Sequence, residues 1–188
     1  MNSKRDLSDL ILQVDHEIAL RLPQMEEAEA LFVLVEANRE HLRRFLFWVD
    51  YNRSLDSSLT FIRESLEKAS LGEELHMVIE YQGKIVGTCG FHQIDSFNQK
   101  TEIGYWLAKE YEGRGIVHRA AKKLIAFAFC SLGLHRIELR SAVENIKSQR
   151  LAERLNFRFE GIARQSCKLP SGFHDMRLYS LLATDSHS

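Results

Sequence analysis

The chain has 188 residues, 45% of them hydrophobic, and a formal net charge of −1. This length predicts one domain, 1–188, with a sizeable core. The small net charge predicts no strong attraction to nucleic acid or to an anionic membrane. The sequence has no apolar stretch of the roughly 18 residues that a membrane-spanning helix needs, and its start, Met-Asn-Ser-Lys-Arg-Asp, lacks the apolar segment of a signal peptide. Its cysteines, Cys89, Cys130 and Cys167, are odd in number and too widely spaced for a metal site, as suits a protein of the reducing cytoplasm.

The first third of the chain predicts one strand followed by helical segments. Residues 18–22 are the expected strand. Pro23 then suits the first position of a helix, and Glu26 and Glu27 complement the positive end of its dipole. The helical segments are expected at residues 23–39, 41–47 and 58–69, the last of them capped by Asp56 or Ser57.

The rest of the chain predicts a hairpin, then alternating strands and helices. The hairpin turns at Gln82-Gly83, and a final strand pair turns around residues 170–172. The expected strands are 75–81, 84–92, 101–107 and 136–141, and the expected helices are 115–132, which ends at Gly133, and 146–155. Helices first, then antiparallel strands, then strand–helix–strand predict a mixed α/β sheet.

The most informative stretch is residues 101–119, Thr-Glu-Ile-Gly-Tyr-Trp-Leu-Ala-Lys-Glu-Tyr-Glu-Gly-Arg-Gly-Ile-Val-His-Arg. It predicts a strand, a tight turn and the start of a helix. Gly113 and Gly115 carry no Cβ, so the backbone can come close to a ligand. The helix start presents unpaired N–H groups at the positive end of the helix dipole. Such a turn binds phosphate.

Two well-known phosphate-binding motifs fit this turn poorly. A P-loop needs Gly-Lys-Ser/Thr after the turn, where this chain has Gly115-Ile-Val. A dinucleotide fingerprint needs a third glycine at the opening of a βαβ unit, whereas His118 holds that position behind several predicted strands. A strand-to-helix turn with no ligand is the remaining alternative.

The turn resembles motif A of the GNAT acetyltransferases, Gln/Arg-x-x-Gly-x-Gly/Ala, which appears here as Glu-Gly-Arg-Gly-Ile-Val at residues 112–117. The middle glycine matches, whereas Glu112 replaces Gln/Arg and Val117 replaces Gly/Ala. Because Glu112 adds negative charge near a pyrophosphate, we expect its side chain to turn away, or Arg114 and Arg119 to offset it.

A second segment strengthens the resemblance. Residues 145–161 are similar to the family's Asn-x-x-Ser…Leu-Gly-Phe…Glu-Gly stretch, with Asn156 where glycine is usual. Asparagine is the next best residue after glycine in a left-handed helix-ending position. Asn145 also suits a helix N-cap and Ser148 an ordinary first-turn serine, so structural roles stand beside the functional ones.

Nearly the whole chain takes part in the resemblance. Residues 20–29, 37–50 and 174–182 look like the branch that acetylates the N-termini of ribosomal proteins (RimJ/RimL-like). The resemblance implies a GNAT-like fold with N-terminal helices, antiparallel hairpins, a central β-α-β acetyl-CoA site and a C-terminal strand pair. It also implies an N-acetyltransferase whose acceptor is the N-terminal α-amine of a protein, such as a ribosomal protein.

The resemblance implies acetyl-CoA as co-substrate and no metal. A backbone N–H at Trp106 or Leu107 is expected to meet the negative charge that develops on the thioester oxygen. Ser148 is the family-like candidate for protonating the leaving thiolate. The residues expected to bind the cofactor are Trp106, Leu107, Glu112, Gly113, Arg114, Gly115, Ile116, Val117, Asn145 and Ser148.

The sequence leaves the general base open. Relatives place a glutamate where ungapped matching puts Cys167, whose thiol, with a pKa of about 8.5, is a poor substitute. Glu102 lies on the strand beside the cofactor, and His174 has a suitable intrinsic pKa and a neighbour, Asp175, that could orient it. The competing roles are structural: a surface edge charge for Glu102 and hairpin-turn residues for His174 and Asp175.

The acceptor is expected at the ring-rich segment 41–48, with His41, Leu42 and Trp48 as contacts and Phe45 and Phe47 beside them; core packing is the alternative role of these residues. The expected partner is a protein or peptide N-terminus, and a homo-oligomer is left open. Two other classes also stay open. A short acidic pocket would favour an acetyltransferase for polyamines or amino-sugars, and Cys167 in place of an acid keeps a non-catalytic acetyl-CoA-binding module in view.

Overall fold

A mixed sheet of eight strands lies at the centre of the fold. The computed structural model describes residues 7–187. The strands are Ile11–Gln13 (β1), Ile18–Arg21 (β2), Leu75–Tyr81 (β3), Lys84–Asp95 (β4), Lys100–Leu107 (β5), Arg136–Ala142 (β6), Arg158–Leu169 (β7) and Gly172–Leu182 (β8). The α-helices are Ala28–Ala37 (α1), Arg39–Leu42 (α2), Leu55–Ser70 (α3), Ile116–Cys130 (α4) and Ile146–Arg154 (α5).

The sheet order is β1-β2-β3-β4-β5-β6-β8-β7, and the neighbouring strands pair antiparallel except β5 and β6, which run parallel. The mixed α/β sheet expected from the sequence is thus confirmed, with α4 as the crossover between the two parallel strands. No helix in residues 7–187 is both long enough and apolar enough to cross a membrane.

Several local features differ from the sequence-based expectations, among them the helix expected at residues 41–47, which is observed only as α2, Arg39–Leu42. The short edge strand β1 was missed because it buries only Leu12, which gives no alternating pattern to detect. The cap of α3 is Ser54, whose hydroxyl accepts the Ser57 N–H at 3.3 Å, and not Asp56 or Ser57. The first long helix opens with a 3₁₀ turn, Met25–Glu27, and is interrupted at Asn38.

Two groups of helices pack on opposite faces of the sheet. Val78 of β3 packs with Ala28, Leu31 and Ile62, so α1 and α3 cover its face. Met77 and Ile79, on either side of Val78, belong to the core with α4 and α5. Because successive strand residues point to opposite faces, these contacts define an α1/α3 face and an α4/α5 face of the sheet.

The parallel strands β5 and β6 separate before they end. Their pairing runs only from Lys100↔Arg136 to Glu102↔Glu138 within the described chain, although β5 stays paired with β4 as far as Leu107 and β6 with β8 as far as Ala142. The two strands therefore open a gap at their C-terminal ends, where ligands bind in open α/β sheets.

Asn38, at the break between α1 and α2, ties the helical segment to the edge of this gap. Its side chain is buried, its Nδ2 donates to the Leu34 carbonyl at 2.9 Å, and its Oδ1 accepts the Lys109 N–H at 2.9 Å. Lys109 lies just after β5, so one amide side chain joins α1 to the segment that leads into the glycine turn.

Replacing the buried Asn38 with alanine leaves the Lys109 N–H and the Leu34 carbonyl without their partner, so we expect the free energy of unfolding to fall by about 1–3 kcal/mol. Urea denaturation measures the change. Asn98→Ala is the control because that side chain bonds to Asp95 within an exposed turn, and we expect a change within about 0.5 kcal/mol. Equal losses in both variants would contradict the role given to Asn38.

Candidate active site

The gap exposes one edge of β5. The Ala108 N–H donates to the Val86 carbonyl at 2.8 Å, and N–H groups alternate in direction along a strand. The Leu107 N–H therefore points away from β4 toward the gap, whereas the Trp106 N–H points toward β4. Of the two donors expected from the sequence, Leu107 is the one that the backbone aims at the gap.

The glycine turn that follows has the geometry expected of a phosphate site. Gly113 and Gly115 have φ values of +78° and +70°, and no heavy atom lies within 4 Å of where a Cβ would stand at either residue. Gly115 is the N-cap of α4, no side chain caps that helix, and its first turn carries no acidic residue. The first N–H groups of α4, at Ile116 and Val117, are thus left for an anion, and the open space at both glycines fits a pyrophosphate.

The Glu112 side chain contacts two basic side chains. Its carboxylate lies 2.5 Å from Lys147 Nζ and 3.2 Å from His41 Nε2. The arginines expected to offset it are engaged elsewhere: Arg119 bonds Asp15 and Glu17, and Arg114 lies over the Tyr111 ring. Lys147, which the sequence did not single out, therefore compensates the charge of Glu112.

Across the gap, the first turn of α5 presents Asn145 and Ser148. The Asn145 side chain accepts the Ser148 N–H at 3.2 Å, so its capping role is observed. The Ser148 hydroxyl is 2.8 Å from the Tyr105 hydroxyl of β5. Burial raises the pKa of Tyr105 above its usual range. Sequence reasoning missed Tyr105, although alternation along residues 101–107 places it on the same face as Leu107.

Glu102 lies on the other face of β5, the α1/α3 face, together with Trp106. Its carboxylate is 3.2 Å from Arg140 Nε, and burial raises the pKa of Glu102 while Arg140 opposes that shift. Burial also raises the pKa of the Cys167 thiol, and the charge of Glu102 adds to the effect. Cys167 is therefore held in the thiol form, which cannot accept a proton.

His174 pairs with Cys167 across the β7–β8 hairpin, but its partners are Glu144 and Ser171. Its Nδ1 is 3.3 Å from Glu144 Oε2, and its Nε2 is 2.7 Å from Ser171 Oγ. Asp175, expected to orient this ring, instead accepts the Gln165 N–H at 2.8 Å. Both ring nitrogens of His174 are thus engaged, and Glu144 replaces Asp175 as the neighbouring carboxylate.

The segment expected to contact an acceptor divides between the core and the site. Leu42 is only 4% exposed and packs with Val35 and Val49, so the structure gives it a core position and not a contact with solvent. Trp48 packs against Trp106 with ring centroids 6.1 Å apart. A cleft of about 460 Å³ lies at the other end of this segment, next to the β7–β8 turn and the residue before Asn145, and it is lined by Glu40, Arg43, Arg44, Phe45, Glu144, Pro170 and Ser171.

Among the described residues, one cluster has the spacing of a metal site: Glu74, His76 and His92. It lies at the end of the β3–β4 hairpin that is opposite its turn at Gln82-Gly83. The Glu74 carboxylate already accepts from His76 at 2.7 Å and from Lys68 at 3.0 Å. Its hydrogen bond with His76 lowers the pKa of Glu74 to about 2. Both Lys68 and His76 therefore already contact this carboxylate.

Comparison with known proteins agrees with this geometry. Residues 17–158 match the model of the acetyltransferase (GNAT) domain family. The chain belongs to the GNAT acetyltransferase family. A putative ribosomal N-acetyltransferase of Bacillus subtilis (strain 168), YdaF, is 36% identical over 171 residues, which are 90% of this chain and 93% of that protein.

Further matches are to acetyltransferases whose names give different acceptors. The structure of RimL, a ribosomal L7/L12 alpha-N-protein acetyltransferase in complex with coenzyme A, has a TM-score of 0.90 at 25% identity and covers 94% of this chain and 99% of that one. A more distant relative is the spermidine N(1)-acetyltransferase of Escherichia coli (strain K12), 25% identical over 78% of this chain and 75% of that protein. The chain is therefore an N-acetyltransferase and not a non-catalytic acetyl-CoA-binding module.

The glycine turn can be tested with a matched pair of substitutions. Gly115→Val places a branched side chain in the open space at the start of α4, and we expect coenzyme A binding to be lost. Gly133→Val is the control because Gly133, after the other end of α4, has the same left-handed backbone with φ +67° and the same open surroundings.

Both variants carry similar backbone strain, so stability falls in both, but only Gly115→Val alters the turn. Calorimetric titration of each folded variant with coenzyme A, below its melting temperature, measures the difference. Unchanged affinity in Gly115→Val, or an equal loss in Gly133→Val, would contradict the assignment.

Proposed function

We propose that this N-acetyltransferase acts on the N-terminal α-amine of a protein, such as a ribosomal protein. The lining of the cleft between residues 40–45 and the β7–β8 turn carries the proposal. It contains two acidic residues, Glu40 and Glu144, and two basic residues, Arg43 and Arg44. A polyamine carries several positive charges and favours an acidic pocket, whereas a peptide chain offers carbonyl, N–H and mixed side-chain groups. The balanced charge therefore favours a peptide over a polyamine.

The names of the relatives support the same acceptor, because YdaF and RimL are described as ribosomal or ribosomal-protein acetyltransferases. A ribosomal-protein acceptor would also place the reaction in the cytoplasm, as the sequence predicts. The spermidine enzyme is a more distant match, and it makes a polyamine the competing acceptor to be tested.

The proposed mechanism assigns each face of β5 a separate task. Acetyl-CoA supplies the acetyl group as a thioester. The N–H groups at the start of α4 would hold its pyrophosphate, and the Leu107 N–H would meet the charge that develops on the carbonyl oxygen. Ser148, on the α4/α5 side of the gap, would donate a hydrogen bond to the leaving sulfur.

On the α1/α3 face, Glu102 is the proposed base. An α-amine has a pKa of roughly 7.7–8.0, so part of it is already neutral near pH 7 and a weak base is sufficient. Burial raises the pKa of Glu102. The pKa of the carboxylate is thereby closer to the pKa of the amine, which makes Glu102 a better proton acceptor. The protonated Cys167 thiol and the engaged His174 ring favour Glu102 over the other candidates.

The acceptor class can be decided with a panel of amines. The pKa gap of roughly 2.5 units between an α-amine and lysine corresponds to about 3.4 kcal/mol, so we expect peptides with a free N-terminus to react faster than matched N-blocked lysine peptides. Thiol release from acetyl-CoA gives the rates, with spermidine and an amino-sugar as further acceptors. Preference for lysine, spermidine or the amino-sugar would overturn the proposed acceptor.

The pH profile tests the proposed base. Glu102 must be ionised to accept a proton, and its pKa is raised. As the pH decreases, kcat/KM should therefore begin to fall at a higher pH than it would with an ordinary carboxylate. Arg140→Gln removes the opposing charge and should move this limb to still higher pH. Glu102→Gln should leave only the limb of the amine and lower kcat by about 10².

Arg63→Gln is the control because Arg63 is an exposed residue of α3, and it should leave the profile in place. Steady-state rates across the pH range, with thermal melts to confirm folding, supply the measurement. If Glu102→Gln keeps the wild-type profile, the base lies elsewhere.

A further inference from the structure

A pair of hydroxyl groups bridges the gap between β5 and α5. Tyr105 OH and Ser148 Oγ are 2.8 Å apart, and within residues 7–187 the Ser148 hydroxyl has no other hydrogen-bond partner. The backbone of Ser148 is fixed separately, because its N–H donates to the Asn145 side chain. The serine side chain is therefore oriented by the tyrosine alone.

Each hydroxyl has one proton, so the direction of this hydrogen bond decides which proton is free. A phenol, with a pKa of about 10, is a far stronger acid than an alkyl alcohol and hence the better donor. Burial raises the pKa of Tyr105, so the phenol keeps its proton near neutral pH. The favoured arrangement is Tyr105 donating to Ser148 Oγ, which leaves the serine proton free to bond to a third group.

We propose that Tyr105 is a positioning residue that donates to Ser148 Oγ and so directs the Ser148 O–H toward the sulfur that leaves in acetyl transfer. This inference rests on the proposed role of Ser148. A chain of donors polarises each member, so the tyrosine also makes the serine a stronger donor.

The transfer balances without a proton from either hydroxyl. The amine nitrogen forms a bond to the acetyl carbon, the C–S bond breaks, and its electron pair stays on sulfur. The proton of the amine passes to the base or to water. Ser148 donates a hydrogen bond to the thiolate, Tyr105 donates to Ser148, and both keep their protons. Water later protonates the thiolate.

Binding of coenzyme A itself tests this without turnover. Coenzyme A carries the thiol, and desulfo-coenzyme A lacks it, so their affinity ratio measures the contact with sulfur. Calorimetry at pH 7 and pH 9.5 would be made on the wild type, Tyr105→Phe, Ser148→Ala and the double variant. In the wild type the ratio should rise with pH as the thiolate forms.

We expect Ser148→Ala to lower the ratio at high pH about tenfold and Tyr105→Phe by about three- to tenfold, since hydrogen bonds to charged groups are the strong ones. Affinity for desulfo-coenzyme A should stay within about twofold. Because Tyr105 acts through Ser148, the double variant should match Ser148→Ala.

Tyr81→Phe is the control, since it also removes a tyrosine hydroxyl with a partner, Glu17 at 3.2 Å, but on β3, and its ratio should equal that of the wild type. A full effect in Ser148→Ala with none in Tyr105→Phe would overturn the role of Tyr105 alone. No effect in Ser148→Ala would overturn the role of Ser148 and the inference with it. Additive losses in the double variant would show that Tyr105 acts independently.

Discussion

The early end of the β5–β6 pairing is the constraint on which the site depends. Were the ladder to continue beyond Glu102 and Glu138, the Leu107 N–H would be bonded within the sheet and no space would separate β5 from α5. A parallel ladder can stop early at little cost only where other neighbours hold both strands. Here β4 and β8 do so, and the buried Asn38 fixes the segment that follows β5.

In the proposed mechanism, the two-residue period of β5 places the residue that accepts the amine proton and the residue that contacts the thiol on opposite faces of the strand. Glu102 and Trp106 lie on the α1/α3 face, beside Arg140 and Trp48. Tyr105 and Leu107 lie on the other face, where Tyr105 meets Ser148. Only the strand backbone stands between them. In this mechanism, the group that removes the amine proton and the groups that contact the departing thiol do not compete for the same space.

Local patterns predicted much of the fold and the rim of the site. Gly113 and Gly115 gave the turn, Asn145 gave the cap, and the strand and helix order followed from apolar periodicity. Contacts between distant segments were beyond such reasoning. The pairing of Lys147 with Glu112 and the hydrogen bond between the Tyr105 and Ser148 hydroxyls each join residues that only the assembled sheet brings together. The burial of Leu42 depends on how the helical segments around it pack with Val35 and Val49.

The last strand in space, β7, also bears on how the molecule behaves in concentrated solution. Among the described strands it pairs only with β8, and Phe159 and Ile162 are about half exposed on it. A long, flat, apolar edge invites pairing with the edge of another molecule. The ladder of β7 is interrupted at Phe159/Gly161 and again at Ala163/Cys167, where Gln165 has φ +48°. These irregularities bend the edge, so a second chain would find no continuous row of N–H and C=O groups to extend, and ordered aggregation along this side is discouraged.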